Sequence, residues 1–125
     1  MRRTGYLHLY GLNLVFDRVG RGPAVLLLAE EAACWPEPLP AGYTFYLLDL
    51  PGYGRTGGPP MPPEELAEYV AAFLVMANLG RPPILVRGLG EAVGRVLAER
   101  GYPVFSGENL GEALLKVGPL GYHDP

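Results

Sequence analysis

Apolar and polar positions alternate with a period of two over residues 6–10 and again over 12–19, and the two stretches meet at Gly11. That pattern predicts an antiparallel hairpin. Gly20, Gly22 and Pro23 interrupt it, and residues 24–29 then form an unbroken apolar run, the mark of a strand buried on both faces. Pro36, Pro38 and Pro40 leave room for only a turn of helix before a second apolar run at 43–48, closed by Asp49-Leu50-Pro51-Gly52. Pro62 and Pro63 followed by Glu64 and Glu65 read as a helix start, because proline fits the first turn and negative charge complements the macrodipole. Leu66, Tyr69, Val70, Phe73 and Ala77 fall on one face of that helix, which Gly80 stops. A short strand at 84–86, a helix from the Gly88-Leu89-Gly90 turn to Gly101 with Val93, Val96 and Leu97 inward, a strand at Val104 and Phe105, and a closing helix on Leu110, Ala113, Leu114 and Val117 complete the series.

Four strands followed by alternating helix and strand predict an α/β domain with a mostly parallel sheet of about six strands and an antiparallel N-terminal hairpin on one edge. No repeat or linker divides residues 1–125, which read as a single domain.

Composition narrows the function. The chain is 49% hydrophobic and 18% charged, too apolar for a disordered segment. Its net charge is −3 without a basic cluster, so no nucleic-acid partner is expected. No apolar run reaches the roughly 20 residues of a membrane span, and none follows Arg2 and Arg3 as a leader would require. A lone cysteine, Cys34, permits no internal disulfide and suits a cytoplasmic location. Arginine in place of lysine, 14 prolines and the absence of glutamine give a thermophile-like composition.

In such sheets ligands bind at the carboxyl ends of the strands. The residues there are Glu30 and Glu31, then Asp49 and Arg55, then Arg87, Gly88, Leu89, Gly90 and Glu91, which form the candidate cleft. Glu30, Glu31, Asp49 and Glu91 could converge on a cation or pair with Arg55 and Arg87; without His or Cys among them, no metal is assigned.

Tyr10-Gly11-Leu12-Asn13-Leu14, Val19-Gly20-Arg21-Gly22-Pro23 and above all Leu48-Asp49-Leu50-Pro51-Gly52-Tyr53-Gly54-Arg55-Thr56 resemble the opening half of an α/β-hydrolase, over about residues 5–105. The resemblance implies a minimal three-layer sandwich with strand 3 between strands 4 and 5, and a nucleophile elbow G-x-S-x-G after strand 5. Aligned with that motif, the window Arg87-Gly88-Leu89-Gly90-Glu91 puts Leu89 in the nucleophile position, where no atom can attack and where a positive φ would be strained. The loop after strand 3 reads Ala29-Glu30-Glu31, and its carboxylates oppose an oxyanion. The family's acid and histidine come from later strands that this sequence lacks, and His123 and Asp124 lie too near its end to replace them. No catalytic residue is therefore assigned.

The rival readings use the same few residues. Gly88-Leu89-Gly90 with Gly94 also resembles a dinucleotide-binding turn, with Glu108 as a ribose-binding acid; Gly94 is one residue late and Glu91 repels a pyrophosphate. Ser106 could be a residual nucleophile with His123 or a cap for the closing helix. Cys34 is expected as a small buried hydrophobe, His8 as a surface or edge residue, and Trp35, Pro36 and Leu39 as cover for the sheet. The expectation is a degenerate, hydrolase-like protein without a triad or cofactor, in a small-molecule-binding or structural role. It is expected to be a homodimer, because a sheet edge or apolar face is left for a symmetry mate to close.

Overall fold

The computed structural model describes residues 2–117. Its elements are β1 (Arg2–Leu9), β2 (Leu12–Gly20), β3 (Ala24–Leu28), a 3₁₀ turn at Ala32–Cys34, β4 (Thr44–Leu48), α1 (Pro63–Met76), β5 (Ile84–Val86), α2 (Gly90–Glu99), β6 (Val104–Ser106) and α3 (Leu110–Val117). They form one six-stranded sheet in the order β1-β2-β4-β3-β5-β6. The pairs β1–β2 and β2–β4 are antiparallel, and the pairs of β3 with β4, β3 with β5 and β5 with β6 are parallel. The mixed sheet and the central place of β3 agree with the expected architecture.

Apolar continuity in the middle strands follows from burial on both faces. Leu26 and Leu28 of β3, Leu48 of β4 and Ile84 and Val86 of β5 face one core with Leu66, Val70 and Phe73 of α1 and Val93 and Leu97 of α2. Val25 and Leu27, Phe45 and Leu47, and Leu85 face the other, with Ala32, Trp35 and Ala113, Leu114 and Val117 of α3. Each such side chain, removed from water, stabilises the fold by roughly 1.5–3 kcal/mol. The result is three layers: α1 and α2, the sheet, then the 3₁₀ turn and α3.

Two boundaries differ from the sequence reading. β1 begins at Arg2 rather than at residue 6, because Asp17 of β2 draws in Arg2 and Thr4 and so extends the pairing. Ser106 does not precede and cap the last helix: it ends β6, opposite Val86, and Asn109 caps α3 by accepting the Glu112 N–H at 3.0 Å.

Helix α2 lies unusually close to the sheet. A Cβ on Gly90 would sit 1.9 Å from the Leu28 carbonyl oxygen, and one on Gly94 would sit 2.8 Å from Cγ1 of Val86. Gly90→Ala is therefore expected to destabilise the fold by about 3 kcal/mol, the upper part of the overpacking range. Gly111→Ala in α3, whose Cβ would meet nothing closer than 3.5 Å, is expected to stabilise by roughly 0.5–1 kcal/mol. Urea unfolding of both variants checks the pair of signs.

Candidate functional site

The turn after β4 is built around Asp49, which is almost fully buried. Its Oδ1 accepts the Ala32 N–H at 2.8 Å and its Oδ2 accepts the Arg55 N–H at 2.8 Å. The Arg55 side chain grips the same carboxylate with Nε on Oδ2 at 2.7 Å and Nη2 on Oδ1 at 3.2 Å, the bidentate fork that suits arginine. Its third nitrogen, Nη1, reaches Asp17 Oδ1 at 3.0 Å. Asp17 in turn accepts Arg2 Nε and Thr4 Oγ1, both at 2.7 Å, and Arg2 continues to Glu37. Thr56 closes the turn: its hydroxyl donates to the Asp49 carbonyl at 2.6 Å and accepts the Val15 N–H at 2.9 Å. Gly54 completes it at φ +50, where a Cβ would lie 2.6 Å from Asp49 Oδ2.

Burial pushes both carboxyls up, but the donors around them outweigh that effect. Hydrogen bonds from Arg55, Ala32 N–H and Arg55 N–H hold Asp49 below the usual carboxylate range. Thr4, Arg2 and Arg55 do the same for Asp17. The two acids raise the Arg55 pKa, chiefly through its hydrogen bonds to Asp49 and against the effect of burial.

At the end of β5 the chain turns through Gly88, at φ +56, into Leu89, at φ −58 and ψ −27. The left-handed residue is thus the glycine, and Leu89 enters the helix unstrained, packing against the core of the α1–α2 face. Gly88 takes the positive φ that would strain a leucine, so the turn is relaxed at Leu89. Glu30 lies over this turn, its Oε2 accepting the Leu89 N–H at 3.2 Å. A Cβ on Gly88 would meet Glu30 Oε1 at 2.6 Å, so the glycine makes room for the carboxylate. Arg87 turns to the other face. Its guanidinium stacks 4.3 Å over the Trp35 ring and donates to the carbonyls of Gly107, Glu108 and Cys34 at 2.7–3.2 Å.

The candidate residues therefore do not converge as one acidic cleft. Asp49 and Arg55 form a pair, Glu30 is tied to the β5–α2 turn, Arg87 is tied to backbone carbonyls, and Glu31 and Glu91 make no described side-chain bond. No group of three or more His, Cys, Asp or Glu suited to a metal occurs among the described residues. Cys34 is exposed rather than buried, because the 3₁₀ turn directs Ala32 and Trp35 inward and leaves it outside. His8 stands on the edge strand β1, 2.9 Å from Asn13. Trp35 is buried and Leu39 half-buried as sheet cover, whereas Pro36 is exposed. His123 and Asp124 lie outside the described residues. Sequence reasoning missed Asp17, although a carboxylate in phase with Val15 and Val19 on an alternating strand was the signal that it faces inward.

Arg55→Met leaves Asp49 and Asp17 without their shared counter-charge. Breaking a buried pair costs about 3–5 kcal/mol, and since the Arg55 side chain is 43% exposed the expected loss is near the lower end, about 3 kcal/mol. Because both folded-state pKa values are lowered, the stabilisation is fully present above the unfolded value near 4 and is lost as pH falls through the depressed range. The deficit of Arg55→Met relative to the parent is thus expected to narrow as pH falls from about 5 to 3. A deficit that stays constant over that window, measured by urea unfolding, contradicts the assignment.

The sequence matches no protein-family model and no curated protein. Solved structures do match it. The protein TT1977, known from a crystal structure, is 62% identical, with a TM-score of 0.88 over 95% of this chain and 99% of that one. A hydrolase from Pseudomonas aeruginosa PA01 superposes with a TM-score of 0.69 at 21% identity, over 81% of this chain and 43% of its own. The epoxide hydrolase CorEH gives 0.65 at 18% identity, over 83% and 40%. The chain spans about two-fifths of these two larger proteins. This chain belongs to one family with TT1977 and has the fold of part of an α/β-hydrolase.

Proposed function

We propose that the chain is a non-catalytic protein on the hydrolase fold, with a structural role exercised as a homodimer. The observation that carries this reading is Leu89 itself, an aliphatic side chain at the elbow position that packs against the α1–α2 core. Acyl transfer at an elbow needs a nucleophile, a base to take its proton and donors for the oxyanion. Leu89 supplies no nucleophile, and the Glu30 carboxylate, seated on the N–H of that same position, adds negative charge beside the elbow. His8 is engaged with Asn13 at the sheet edge, and Ser106, exposed at the end of β6, has no hydrogen-bonded base among the described residues.

Occupation of the turn by Glu30 also weighs against a dinucleotide there, since a pyrophosphate would meet the carboxylates of Glu30 and Glu91 together. Glycines 90 and 94, which suggest a phosphate loop in the sequence, have a packing role against Leu28 and Val86 instead. Asp49 and Arg55 satisfy one another and Glu30 and Arg87 are held by backbone groups, which favours a structural role over small-molecule binding at this end.

Association is supported by the edge at β6. Among the described residues that three-residue strand is paired on one side only, by β5. Beside it an open depression of about 350 Å³ has an apolar floor of Val86, Ala98, Val104 and Phe105 with Glu91, Arg95 and Ser106 also lining it. Closing such an edge against a symmetry mate removes an aggregation liability.

Two measurements test the reading. Short-chain aryl esters are expected to show no turnover with the purified protein, and Leu89→Ser alone is expected to create none, since no histidine among the described residues stands ready to take its proton. Turnover abolished by Ser106→Ala contradicts the non-catalytic assignment. Light scattering across a size-exclusion peak is expected to give twice the chain mass of 13.5 kDa; the single-chain mass at micromolar concentration overturns the dimer.

A further inference from the structure

We infer that the end of the sheet opposite the β5–α2 turn carries an anion site, formed by Arg3, Arg18 and Arg21, that takes a small phosphate-type polyanion such as a diphosphate. It is independent of the non-catalytic reading. Arg3 of β1 and Arg18 of β2 are directly opposed in the antiparallel register. Like charges in that relation destabilise a sheet, so their pairing calls for a compensating partner. Both line, together with Arg21, Gly20, Gly22 and Thr44, a depression of about 730 Å³.

No carboxylate on the strands supplies that partner. In register, Arg3, Gly5 and Leu7 share a sheet face with Leu14, Phe16, Arg18 and Gly20 and with Thr44, Tyr46 and Leu48. Asp17 lies in the opposite phase and is committed to Arg2, Thr4 and Arg55 on the other face. The remaining arginines are distributed very differently. Arg2, Arg55 and Arg100 are in ion pairs, Arg81 stacks on Tyr102, and Arg87 stacks on Trp35. Only Arg3, Arg18, Arg21 and Arg95 make no side-chain contact of these kinds among the described residues, and all but Arg95 line this depression. In a chain of net charge −3, such a gathering of one sign is not a consequence of overall basicity.

The scaffold beneath the arginines is fixed. Thr44 N–H donates to the Pro23 carbonyl and Thr44 Oγ1 to the Gly22 carbonyl, both at 2.9 Å. Gly20 and Gly22 have positive φ and pack so closely that a Cβ on either would lie 2.2 Å from the carbonyl oxygens of Tyr43 and Gly42. Arg21 is thereby held beside the β1–β2 pair by a short, tightly packed loop. Guanidinium forks pair bidentately with phosphate oxygens, and several forks of one sign match an anion carrying more than one charge.

The test is calorimetric titration with inorganic pyrophosphate at low ionic strength, where exposed charges are least screened. Binding is expected for the parent chain and for Arg95→Gln, with the dissociation constant at least tenfold higher for Arg18→Gln and no measurable binding for the Arg3→Gln/Arg18→Gln/Arg21→Gln variant. All these positions are exposed, and thermal unfolding without ligand is expected to show every variant folded, Arg18→Gln with a midpoint no lower than the parent's. ADP binding more tightly than pyrophosphate identifies a nucleotide as the source of the phosphates; equal or weaker ADP binding identifies an inorganic or other small phosphate. Both support the site. Citrate binding as tightly as pyrophosphate overturns the phosphate assignment. Pyrophosphate heat no greater than that of sodium chloride at matched ionic strength, or binding that survives in the triple variant, overturns the site itself.

Discussion

Everything else in this molecule follows from the burial of β3, β4 and β5 on both faces. A strand with no polar side cannot face water, so helices must cover the sheet above and below, and the chain can show its polar chemistry only at the strand ends and on the outer strands. The close seat of α2, with Gly90 against the Leu28 carbonyl, is the local expression of that demand. A helix held so near the strands admits no side chain between, and the β5–α2 turn meets that demand with glycines at 88 and 90.

The two faces of the outer strands handle charge in opposite ways. On one, Asp49, Asp17, Arg55 and Arg2 form one continuous alternation of sign, closed at its outer end by Glu37. Each buried carboxylate has its donors, as charge at low dielectric requires. Nothing in that chain of contacts needs a substrate to complete it. In the other phase of β1 and β2, Arg3 and Arg18 face one another, and neither strand carries an acid in that phase.

Much of this was legible in the sequence, and the exceptions are instructive. Doubly buried strands declare themselves as unbroken apolar runs, so β3, β4 and β5 were located to within a residue. The β4 turn was legible as a motif, but the partner of Arg55 across the sheet was not, because Asp17 lies 38 residues away and only register brings the two together. Gly90 and Gly94 could be read as phosphate-loop glycines or as packing glycines. Sequence spacing cannot separate those, since both demand a missing Cβ; only the approach of the Leu28 carbonyl decides. Cys34 was misplaced for a related reason. A short 3₁₀ turn has no periodicity to read, so which of its residues faces inward is settled by Trp35, whose bulk takes the available space beneath α3.

The Glu30 carboxylate has one further consequence. It is a tethered anion, joined to its N–H donor through the same rigid sheet, so its effective concentration at the β5–α2 turn is on the order of millimolar or above. An external anion arriving there competes with a group that is always present and cannot diffuse away, and its apparent affinity falls by the ratio of the two concentrations. The N–H of position 89 is in this sense occupied in advance by the protein's own carboxylate, while the leucine side chain there serves the core.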